Sequence, residues 1–247
     1  MSDSLPPPVP PQVPAQIPQA IGLHLGEMLD VPVAGFIGAV EAILRQPRRI
    51  MHQLRQPGQG SLVGRLLLIA VVCSLVYGLV VGTFSRGDQL WAAPVKIAAG
   101  LLLSALICLP SLYIFSCLSG SQARLVEVFG LLAGLLALTT VLLIGFAPVA
   151  WVFSESTQSL AAISALHLAF WLIATWFGLR FLSAGFAQLG GKSSAGLKVW
   201  IVVFLLVACQ MTTALRPIVG TASSFLPQEK RFFINHWSKC LESQTTH

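Results

Sequence analysis

LVEVFGLLAGLLALTTVLLIGFAPVAWV, residues 125–152, contains a single charged group, Glu127. At 1.5 Å of rise per residue, about 20 such residues in a helix cross a hydrocarbon core of ~30 Å. A helix that is apolar on every side has no face to offer water, so the stretch reads as a transmembrane span. Four more segments of the same kind surround it, at 62–84, 93–118, 160–182 and 197–215. Short polar connections separate them at 86–88, 120–124, 154–159 and 190–194. The expected fold is therefore all-α: a polytopic transmembrane helical bundle with five spans, short loops and N-terminal interfacial helices.

The whole composition agrees with that reading. Of 247 residues, 55% are hydrophobic and 10% charged, against roughly 25% charged in a soluble domain. This excludes an ordinary water-soluble globule. The net charge of +6 comes from lysines and arginines that flank apolar runs, where they act as topology determinants and headgroup contacts. The lipid bilayer, and not nucleic acid, is the partner such a pattern implies. The cysteines Cys73, Cys108, Cys117, Cys209 and Cys240 form no CxxC pair and have no histidine at ligand spacing, so neither a disulfide framework, a metal site nor a cofactor is expected.

Residues 1–18 hold seven of the 15 prolines, in the run PPPVPPQVPAQIP. They read as a disordered, polyproline-II-like tail that a proline-segment reader could dock, and not as a cleavable signal peptide. Residues 19–57 carry apolar positions at helical spacing (Ile21, Leu25, Met28; Phe36, Ile37, Val40, Ile43), broken by Pro32 and Pro47. Arg45, Arg48, Arg49 and Arg55 follow. Short amphipathic helices in the membrane surface fit this pattern, as do helices packed against the protein's own loops. Residues 58–216 form the five-span domain and 217–247 an aromatic and basic tail. With the N-terminus inside, nine basic residues fall on the inner side and six on the outer. That bias makes the N-terminus cytoplasmic and leaves the C-terminus outside.

The proline-containing N-terminal segment, the Pro47-Arg48-Arg49 approach to the first span and five closely spaced spans resemble the Yip family of polytopic membrane proteins and its bacterial relatives. The resemblance covers residues 45–215, rests on layout, and implies a bacterial inner-membrane protein. CLPSLY (108–113) and LRPIVG (215–220) are similar to patterns in uncharacterised bacterial membrane proteins. The small-GTPase partners of eukaryotic members are not implied, because no matching residue set is present.

Ionisable groups in spans are the natural functional candidates, since lipid exposure costs them at least ~2.5 kcal/mol. Lys96 lies near the outer end of span two, where it can snorkel or pair with Glu155. Glu127 opens span three beside Arg124, and Arg180 closes span four on the same side, an arrangement suited to an inner-surface ionic lock. His167 lies well inside span four, either as a proton or ligand group or as an interhelical hydrogen-bond partner. Ser119-Gly120-Ser121 and His167 belong to opposite ends of the spans, and GxSxG, Walker and HExxH patterns are missing, so no catalysis is expected.

The glycine pairs Gly78/Gly82 and Gly130/Gly134, with Gly100/Ser104 and Ala174/Gly178, point to close helix packing. Pro110 and Pro148 each remove a helix hydrogen bond and predict kinks. In the tail KRFFINHWSKC (230–240), Phe232, Phe233 and Trp237 with flanking basic residues suit the headgroup level. The expected function is a non-enzymatic membrane scaffold or adaptor subunit working with other membrane proteins or as a homo-oligomer. A pore or small-solute transporter is the alternative.

Overall fold

A computed structural model describes residues 31–85, 89–121, 123–157, 160–190 and 195–214. These form the helices α1 (Gly35–Arg45), α2 (Pro47–Gln53), α3 (Gly60–Ser85), α4 (Gln89–Leu118), α5 (Leu125–Ser156), α6 (Leu160–Gln188) and α7 (Ala195–Ala214). No strand occurs among the described residues.

Four helices are long and apolar enough to cross a membrane, over Gly60–Thr83, Leu90–Leu118, Leu125–Ser156 and Ala162–Gln188. The chain therefore has the make-up of an integral membrane protein. The fifth expected span is also a helix, but its apolar part, Ala195–Met211, is shorter than the other four. At 1.5 Å per residue its 17 residues reach ~26 Å, against about 48 Å for the whole of α5.

Helix ends run beyond the apolar runs read from sequence. α5 continues to Ser156 because Ser154 and Ser156 turn their hydroxyls back onto the Trp151 and Val152 carbonyls, at 2.7 and 2.6 Å. α6 continues past residue 182 because Gly185 and Phe186 remain buried against the bundle. α4 stops where Gly120 takes φ +75°. There the Gly120 N–H bonds the Cys117 carbonyl at 3.0 Å and the Ser121 N–H bonds the Ser116 carbonyl at 3.2 Å, a Schellman cap that needs a left-handed residue.

α5 is the centre: 72% of its spanning window is buried, against 28% for α4 and α6. It packs on α3 and α6, while α3 also packs on α4, and α4 on α7. Small residues make α5 suitable for this place. Gly130, Ala133, Gly134 and Ala137 are all buried, and without a hydrophobic force in lipid, close van der Waals contact is what holds helices together. α1 and α2 dock against this core where α3 begins, burying Ile43, Ile50, Met51 and Leu54.

Candidate functional site

Of the 19–57 region, the described residues 31–57 make their best-defined contacts with protein. Arg49 directs Nε and Nη2 to the Val31 carbonyl at 3.1 and 2.7 Å, and Gln53 Nε2 donates to the same oxygen at 2.5 Å. Gln53 Oε1 accepts the buried Val33 N–H at 3.1 Å, and Arg65 from α3 donates to the Val33 carbonyl. Pro32 between them favours extended backbone at Val31, which exposes both carbonyls to the clamp. So of the two readings for this region, packing on the protein itself accounts for Arg49, with Arg65 of α3 joining the same clamp. Arg48 and Arg55 remain exposed, as do Phe36, Ile37 and Leu44 of α1. The clamp was missed in sequence because arginines before a span carry the same signal whether they meet phosphates or carbonyls.

At the other end of the bundle, His167 Nδ1 and the Tyr77 hydroxyl lie 2.8 Å apart, and the two rings meet edge to face at 5.7 Å. Tyr77 is buried with Val81, Leu143, Ala147 and Ala174, and the stacked rings of Phe146 and Phe170 lie 4.8 Å apart. His167 thus joins α6 to α3. Lys96 is enclosed, with 1% of its surface exposed. Its ion pair with Glu155 is not among those formed by the described residues, and Glu155 is exposed. The cause is helix register, because Ala93, Lys96, Gly100 and Ser104 share the buried face of α4.

The Glu127–Arg180 lock is likewise not formed. Glu127 Oε2 accepts the Arg124 backbone N–H at 3.0 Å, capping the start of α5. Contacts of Gly134 with Phe181 and of Gly185 with Leu131 set α5 and α6 antiparallel. That register puts Arg180 about nine residues, or ~13 Å, from the level of Glu127. Arg180 is exposed on the outside of α6. Nor do Ser121 and His167 meet: Ser121 Oγ bonds the Leu189 carbonyl at 3.2 Å, and Leu189 lies ~33 Å along α6 from His167.

The predicted packing glycines sit at interfaces. A Cβ on Gly78 would strike the backbone of Pro94 on α4, one on Gly130 would meet Leu54 at 2.8 Å, and one on Gly134 would meet Phe181 at 2.5 Å. Gly82 is buried. Gly185, which the spacing rule passed over, faces Leu131 in the same manner. Pro110 and Pro148 are exposed and α4 and α5 remain helical through both. Beside Pro110, the Cys108 carbonyl accepts from Ser111 Oγ at 2.8 Å and from Trp200 Nε1 at 3.0 Å. Trp200 is fully buried and ties α7 to α4; in sequence it was one tryptophan among six. Phe232, Phe233 and Trp237 lie outside the described residues, as do residues 1–30. No family model, curated protein or solved structure matches this chain.

Proposed function

We propose that this chain is a non-enzymatic integral membrane scaffold or adaptor subunit of a membrane protein complex. The observation that carries the reading is the clamp on Val31 and Val33. Three side chains from α2 and α3 hold the backbone at Val31 and Val33, 13 to 15 residues after the proline-rich segment ends at Pro18, so the chain that follows that segment is anchored to the bundle. An anchor on the chain side of a proline-rich segment suits presentation of a docking peptide, because polyproline segments lose little entropy on binding. We place the chain in a bacterial inner membrane with five spans, α7 being the last, a cytoplasmic N-terminus and an outer C-terminus. The basic bias and the Yip-like layout support this. The exposed apolar face of α1 (Phe36, Ile37, Leu44) dips into the adjacent interface in this scheme, and partners are other membrane proteins or a second copy.

Co-purification in mild detergent tests the scaffold reading. The full chain is expected to bring down a defined partner that a chain lacking residues 1–18 loses. An unchanged set of partners would sink it. A pore or small-solute transporter is the second reading, favoured by the Tyr77–His167 pair and the buried Lys96 in one half of the bundle. Solute flux in liposomes that vanished in His167→Ala would select it instead.

A further inference from the structure

α4 and α6 flank the α3–α5 core, and their C-terminal ends are tied by the hydrogen bond from Ser121 Oγ to the Leu189 carbonyl at 3.2 Å. Beside this junction, the ends of α4 and α6 and the first turns of α7 line a cavity of about 250 Å³. Leu112, Phe115 and Phe186 make its wall apolar, and serine hydroxyls and Lys198 interrupt that wall.

Serines in helices usually turn the O–H back onto a carbonyl one turn earlier. Ser119 does so to Phe115 at 2.7 Å and Ser183 to Leu179 at 2.8 Å. Ser121 donates to Leu189 and accepts the Ala123 N–H at 3.3 Å. Ser116 is the exception: it is 4% exposed, lines the cavity, and its Oγ has no hydrogen-bond partner. Its carbonyl is already taken by the Ser121 N–H, so only the hydroxyl is left over. Buried hydroxyls are almost always paired. The Ser116 O–H is thus a donor for whatever enters the cavity.

Two further features select the charge of that group. Lys198, an exposed cationic residue, is part of the cavity lining. α7 begins at Ala195 and lines the cavity with Leu197 and Lys198, so the positive end of a 20-residue helix borders it. An unspent hydroxyl donor, a cation and a helix N-terminus suit an anion, and the apolar wall suits a hydrocarbon chain attached to it.

We propose that this cavity holds the phosphate of a membrane phospholipid, bound by Ser116 and Lys198 at the start of α7, with the lipid chain along Leu112, Phe115 and Phe186. The site depends on α4 and α6 spanning the membrane and is independent of the scaffold reading.

The full-length protein, stripped of lipid in detergent, is offered dioleoyl phosphatidylglycerol, dioleoylglycerol or inorganic phosphate, and bound species are counted by native mass spectrometry. One phosphatidylglycerol per chain is expected, with no retained dioleoylglycerol. Ser116→Leu, which fills the cavity, is expected to weaken retention about tenfold, as loss of a hydrogen bond to a charged group does. Ser116→Ala and the exposed-site variant Lys198→Gln are expected to weaken it in the same direction, so the test does not hang on one core substitution. Equal retention of dioleoylglycerol, or unchanged retention in Ser116→Ala and Lys198→Gln, overturns the proposal. Inorganic phosphate bound without any phosphatidylglycerol assigns the cavity to a free phosphate ester and overturns the lipid as its source.

Discussion

Gly78 and Pro94 meet backbone to backbone between α3 and α4. A side chain at Gly78 cannot be accommodated by a rotamer change across the interface, since the atom it strikes belongs to the main chain. We expect Gly78→Leu to cost about 3 kcal/mol, at the upper end for overpacking. Gly64→Ala, where a Cβ meets nothing within 4 Å, should fall within about 0.5 kcal/mol of the parent. Unfolding in mixed detergent micelles measures both. Sequence spacing identified Gly78 but not Pro94, because small-xxx-small patterns describe one helix and the close approach belongs to two. The same limit applies to Tyr77 and Trp200. Each was an ordinary aromatic in an apolar run, and each finds its polar partner 90 or 92 residues away.

At the scale of elements, the α1–α2 pair shows why amphipathicity does not settle location. α1 has buried Ala39, Ala42 and Ile43 on one side and exposed Phe36 and Ile37 on the other, so protein and lipid can both claim an apolar face. The hydrogen bonds of α2 decide the docking. Removing the Gln53 amide by Gln53→Ala strips the acceptor from the Val33 N–H and one of the donors from the Val31 carbonyl. Amide exchange at Val33 should accelerate about tenfold, the equivalent of one buried hydrogen bond, while the amides of α5 keep their protection. Acceleration spread equally over α5 would mean that the clamp is part of the global fold and not a local latch. α7 poses the opposite case. Its sequence is as apolar as a span, yet it is short and packs chiefly on α4, which is what leaves the serine-lined cavity beneath its first turns.

For the whole molecule, the spatial order of helices departs from chain order: α5 sits between α3 and α6, and α4 lies outside them with α7. Thiol labelling measures the topology. With Ser4→Cys and Thr245→Cys introduced singly into a chain lacking its native cysteines, an impermeant thiol reagent should reach position 4 only from the cytoplasmic side and position 245 only from outside. Labelling of both from one side would leave four spans and remove α7 from the count. The apolar runs alone determined that the chain is helical with the make-up of an integral membrane protein, because hydrocarbon offers backbone groups no partner and a helix satisfies them within a single segment. They also determined which glycines could lie at interfaces. Only the tertiary structure decided that Lys96 is enclosed, that Glu127 caps its own helix instead of reaching Arg180, and that Arg49 of α2 and Arg65 of α3 hold the backbone at Val31 and Val33. Those outcomes depend on rotation and register between helices. Both are set by the fit of side chains on several helices at once, and lipid, being as apolar as the helices themselves, supplies no sequence-readable preference for one face over another.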